Sequence, residues 1–121
     1  MPTRQPTEPD APGDTHINEV RLRGRVSAPA VERVLPSGDV LVTARLVVRR
    51  PAGARSRQSV DVLNCQAWSA RSRRAVLAWQ PGSLVEVEGA IRRRFRRDAG
   101  PTSWVEVEVV SARRVRAAPP S

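Results

Sequence analysis

A chain of 121 residues with 21 basic and 12 acidic side chains carries a formal net charge of +9 and a sequence pI near 11.7, a balance that favours a polyanionic partner. One cysteine rules out an intramolecular disulfide, and the single histidine, His16, has no second ligand at metal-binding spacing. No apolar run approaches the ~20 residues of a membrane span, and the length suits one domain that buries its core without staples.

Residues 1–16, rich in Pro, Thr, Asp and Gly, hold Arg4 against Glu8, Asp10 and Asp14 and read as a disordered leader. This N-terminus lacks the apolar segment of a signal peptide, which gives the expectation of a cytoplasmic protein. From Ile17 the pattern becomes β: Val20, Leu22, Gly24 and Val26 alternate with Arg21, Arg23 and Arg25, an apolar face against a basic one. Leu35-Pro36-Ser37-Gly38 marks a turn, and Val40 to Val48 forms a second strand with Val40, Val42, Ala44, Leu46 and Val48 on one face. Residues 49–59 lack apolar periodicity and contain Arg49, Arg50, Arg55 and Arg57, which predicts a mobile basic loop. Val60 to Trp68 is the third strand, and Cys65 within it reads as a buried, inert thiol.

From Ser69 to Trp79 the period changes: Ser72, Ala75, Val76 and Trp79 share a helical face, and Pro81-Gly82 ends the helix. A fourth strand runs from Leu84 to about Phe95, a turn falls at Asp98-Ala99-Gly100-Pro101, and a fifth strand runs from Trp104 to Val110 or as far as Val115. Residues 117–121 form a short uncharged tail. The order βββαββ, with eighteen valines, predicts an all-β fold with one short helix. It matches a five-stranded OB-fold Greek-key barrel over residues 17–116, with the helix between strands three and four.

The functional signal lies in Arg92-Arg93-Arg94-Phe95-Arg96-Arg97. Guanidinium groups neutralise phosphates and an aromatic face stacks on a base, the two components of a single-strand nucleic-acid surface. Arg92, Arg94, Arg96 and Arg97, with the loop residues Arg49, Arg50, Arg55 and Arg57, are the phosphate candidates. Residues 17–116 hold 20 arginines against 9 acids, so this domain is more basic than the whole chain. Glu86 and Glu88 share a strand face, but with Glu106 and Glu108 on the partner strand they read as cross-strand partners of arginine on a solvated surface. No nucleophile, base and orienting group occur together, so neither an enzyme nor a cofactor is expected.

In order and spacing, Asn18, Val20, Leu22 and Gly24, then Arg33 before Pro36-Ser37-Gly38, Cys65-Gln66-Ala67-Trp68 and Gly82-Ser83-Leu84-Val85-Glu86-Val87-Glu88-Gly89 resemble the bacterial single-stranded DNA-binding protein (SSB) family. The resemblance continues through the arginine-plus-aromatic strand Arg92 to Phe95 and covers residues 18–115. It implies sequence-tolerant binding of single-stranded DNA in replication, recombination or repair, a homotetramer, and a cytoplasmic, nucleoid-associated location. By the same resemblance Trp68 and Phe95 stack on bases and Arg33 lies near the DNA path. Trp79 reads as core. Trp104, on the face of Glu106 and Glu108, stays open between core and groove.

The chain departs from the family in having Pro51 and Ala52 where the family often places a tryptophan, and Val60 or Val62 where a second aromatic is common. The family's acidic recruiting tip is also absent. These departures keep a second reading open: an OB-fold subunit that joins another SSB or a replisome component with little DNA binding of its own. RNA is a further partner, because a stacking surface distinguishes it only weakly from DNA.

Overall fold

Seven elements follow along the chain: β1 (Val20–Val26), β2 (Val31–Val34), β3 (Val40–Arg49), β4 (Val60–Ala67), α1 (Ala70–Leu77), β5 (Leu84–Arg96) and β6 (Thr102–Arg116). The structure, a computed structural model, describes residues 9–53, 55, 57–96 and 102–120, with Arg96 as backbone only. All five expected strands are present, and the last follows the longer of its two expected courses. The expected turn at 98–101 lies outside the described residues.

The sixth strand, β2, corrects the expected count. Its sequence Val31-Glu32-Arg33-Val34 is exposed throughout and has no core face to announce it. It exists as one arm of a hairpin with β3, closed by the Leu35 N–H donating to the Asp39 carbonyl at 2.8 Å and the Gly38 N–H donating to the Leu35 carbonyl at 2.8 Å.

The sheet order is β1-β5-β6-β4-β3-β2, and β1 also pairs with β3, so the pairings of the five longer strands return to their start. Neighbours are antiparallel except β4 and β6, which run parallel at Cys65↔Val107 and Gln66↔Glu108. Inside the ring, Val26, Val42, Leu46, Val85, Val87, Val107 and Val109 are buried. Each such side chain contributes roughly 1.5–3 kcal/mol by leaving water. The helix is capped by Ser69, whose hydroxyl accepts from the Ser72 N–H at 3.0 Å. It lies against β6, β3 and β4 and delivers Val76 and Trp79 to the core, as expected for Trp79.

Two glycines set how closely the strands cross. At Gly24 a Cβ would stand 2.4 Å from the Val47 carbonyl oxygen, and at Gly89 it would stand 1.9 Å from that of Glu108. Both obstacles are backbone, so no rotamer change relieves them. At Gly89 the β5–β6 register also shifts: Glu88 pairs with Ser111 and Gly89 with Val109, which leaves Val110 as the extra residue.

β1, β5 and β6 are further tied by one carboxylate. Glu86 accepts from Arg23 at 2.8 Å and Arg21 at 3.4 Å through one oxygen, and from Arg113 at 3.2 Å through the other. The pairing with arginine follows the expectation, but the solvated setting does not: Glu86 is 6% exposed because three guanidinium stems close over it. Hydrogen bonds from Arg23 and then Arg21 lower its pKa to about 2.

Gly89→Ala should destabilise the fold by about 1–3 kcal/mol or more in urea titrations, because β5 and β6 must move apart. Glu86 should make the stability of the fold sensitive to acid. Between an ordinary carboxyl pKa of 4.5 and the folded value of about 2, only the unfolded chain takes up the proton. Stability contributed by Glu86 is therefore complete above the upper value and is lost as pH falls towards the lower one. Glu86→Gln should flatten the pH dependence of the melting temperature across that window.

Candidate nucleic-acid interface

Alternation along β4 buries Cys65 and Ala67 and turns Asn64, Gln66 and the following Trp68 to the outer side of the sheet. The parallel contact with β6 brings Glu106, Glu108 and Trp104 alongside, and the β5–β6 register adds Arg92 opposite Glu106 and Arg94 opposite Trp104. On the other flank, β3 contributes Thr43 and Arg45, and β2 contributes Val31 and Arg33. A groove of about 380 Å³ is lined by Arg33, Arg45, Asn64, Gln66 and Glu106, among others.

At one end of this face the Arg94 guanidinium lies over the Trp68 ring, 5.5 Å from its centroid. Arg94 Nε donates to Glu106 Oε2 at 3.3 Å, and Trp104 Nε1 donates to Glu106 Oε1. The two tryptophans are thereby linked through one arginine and one buried carboxylate. Arg73 in α1 donates to the Trp68 carbonyl and fixes that residue from the helix side. The buried Trp68 Nε1 donor and Gln66 Oε1 acceptor have no hydrogen-bond partner among the described residues.

The sequence-predicted residues are divided by this geometry. Trp68, Arg94, Trp104, Arg92 and Arg33 share the face; Arg92 is paired with Glu108 at 3.4 Å. Phe95 is 70% exposed but belongs to the opposite face of the β5–β6 hairpin, with Ile91, Arg93 and Val105. Arg50 grips Asp61 through two nitrogens, at 2.7 and 3.1 Å, and these bonds hold the Asp61 carboxyl below its usual value. Arg49, Arg55 and Arg57 have no side-chain partner among the described residues. Arg97 and the side chain of Arg96 lie outside those residues.

Glu106 departs from expectation as Glu86 does: it is 6% exposed, not solvated. Arg45, Asn64, Gln66 and Glu106 complete the face and were not anticipated. The signal for three of them was available. Arg45 alternates with Ala44 and Leu46, and Asn64 and Gln66 alternate with Cys65 and Ala67.

A ring of strands capped by one helix, with a basic, tryptophan-bearing outer face, defines an OB-fold-like binding domain. Residues 17–116 match the Single-strand binding protein family, and the chain belongs to that family. It is 30% identical over 97 residues to a single-stranded DNA-binding protein of Oceanobacillus iheyensis, an alignment covering 78% of this chain and 60% of that protein's length. The fold is similar to that in a structure titled "Plasmodium falciparum SSB complex with ssDNA", with TM-score 0.65 and 18% identity over 87% of this chain and 98% of that one. It is also similar to the small single-stranded DNA-binding protein from Streptomyces coelicolor, with TM-score 0.59 and 20% identity over 79% and 92% of the two chains.

Cys65 lies beneath the groove floor, fully buried, and desolvation pushes its thiol up to about 12. At pH 8 the native protein should resist iodoacetamide, and modification should appear only at the rate of unfolding. Mass spectrometry of time points with and without urea checks this.

Proposed function

We propose that this chain binds single-stranded DNA without strong sequence preference, in replication, recombination or repair, and performs no catalysis. The observation that carries this reading is the single outer sheet face on which Trp68, Arg94 and Trp104 stand beside Arg33 and Arg45. Aromatic and guanidinium planes offer stacking to any base, while arginines along the groove neutralise the backbone. Family membership and the names of the similar proteins support the same partner. Arg49, Arg55 and Arg57 extend the basic path into the 50–59 loop.

A protein-contact role has one observation in its favour. On the opposite hairpin face Ile91, Val105 and Phe95 are exposed together. This strip suits contact with a second copy or another SSB-like subunit, and self-association is part of the proposal. It does not compete for the Trp68 face, so the two roles are compatible.

Tryptophan fluorescence titrations with oligo-dT, oligo-rU and duplex DNA test the main reading. Single strands should win over duplex, and affinity should fall with salt at a logarithmic slope near −0.7 per neutralised phosphate. Trp68→Ala and Trp104→Ala should each weaken oligo-dT binding by about 1–3 kcal/mol without altering that slope. Arg45→Ala should instead shallow the slope by up to about 0.7. Phe95→Ala should cost less than Trp68→Ala, since its ring lies on the other side of the hairpin. A flat salt dependence, or tighter binding to duplex, overturns the reading.

A further inference from the structure

A carboxylate buried within a surface meant for a polyanion repels its ligand and loses hydration, so its presence needs a reason. We propose that Glu106 is a positioning residue for single-strand binding: it fixes Trp104 and Arg94, and through Arg94 it orders the stacking surface over Trp68. The inference rests on the reading that this face binds single strands.

The two carboxylate oxygens have separate tasks. Oε1 accepts from the Trp104 indole N–H, which fixes the rotation of the ring of a residue that is 39% exposed. Oε2 accepts from Arg94 Nε at 3.3 Å, and Arg94 lies 5.5 Å over the Trp68 ring. An unpaired guanidinium beside DNA would extend to a phosphate. With its charge answered by Glu106, Arg94 stays over the Trp68 indole, where its guanidinium adds a stacking group beside the ring. Ordering these side chains before the ligand arrives removes an entropy cost from binding.

Arg94 is consequently a stacking group and not a phosphate clamp, which distinguishes it from Arg33 and Arg45 in the groove. Glu108 repeats only part of the arrangement. It pairs with Arg92 at 3.4 Å, but its side chain is 30% exposed and holds no ring.

Glu106→Gln retains an oxygen for the Trp104 N–H while withdrawing the charge that restrains Arg94. It should keep most of the oligo-dT affinity and steepen the salt slope by up to about 0.7, because Arg94 is released to a phosphate. In the Glu106→Gln/Arg94→Ala double variant the extra slope should disappear. Glu106→Ala withdraws both functions and should weaken oligo-dT binding about 10-fold or more, the loss of one fixed stacking ring, with acrylamide quenching of tryptophan increased in the DNA-free protein.

Thermal melts run alongside give the folded fraction. If Glu106→Gln leaves the slope at the parental value, or if folded Glu106→Ala binds like the parent, Glu106 is merely structural and the proposal fails alone. A parent protein that binds no oligo-dT overturns the functional reading and this inference with it.

Discussion

The carbonyl oxygen of Glu108 occupies the space that a side chain at residue 89 would fill. Because glycine alone admits that approach, β5 and β6 shift register there and absorb Val110 as an extra residue. The shift gives one long hairpin two different jobs. On the side nearer the helix, Val85 and Val87 enter the core with Val109. On the far side the same strands continue as an arm whose two faces carry different chemistry. Without the register change, Arg113 would not reach Glu86, and the pairing of Arg94 with Trp104 would not coexist with a filled core.

Arginine–glutamate contacts recur along this hairpin with two distinct consequences. Around Glu86 three guanidinium groups converge on one carboxylate and hold β1, β5 and β6 together. Around Glu106 one arginine, Arg94 of β5, and one indole, Trp104 of its own strand, meet the carboxylate, so the contact joins two strands and two aromatic positions at once. Burial of both acids follows from the number and length of the groups that close over them. An acidic residue in an alternating Val-Glu strand therefore does not have to be a solvated one.

Much of the fold was legible because valine alternation fixes faces locally. Of the predicted face of the second strand, Val42, Ala44 and Leu46 are buried and the end residues Val40 and Val48 half-buried, and the helical face containing Ser72, Val76 and Trp79 packs inward. The same arithmetic carried from Val85 and Val87 to residue 95 puts Phe95 on the core-side face and Arg92 and Arg94 on the other. The dense run of arginines hides that parity. β2 was illegible because its four residues bury nothing. The Trp68–Trp104 association was illegible for a different reason: it depends on the parallel meeting of β4 and β6, which no local pattern encodes. Glu106 could be recognised only after Arg94 and Trp104 had been brought to it.

That parallel meeting also shapes how the chain must fold. The pairings β2–β3, β3–β4 and β5–β6 join neighbours in sequence and close short loops. The pairing of Cys65 with Val107 joins distant segments, as does that of β1 with β5, and both wait on the loop-closure entropy of everything between them. Until β6 arrives, the outer edge of β4 presents unpaired backbone groups beside an apolar inner face. Two half-folded chains meeting at that stage have the option of exchanging hairpins, each completing the other's ring. The ring closure that positions the tryptophans thus carries a loop-closure cost that none of the hairpin pairings does.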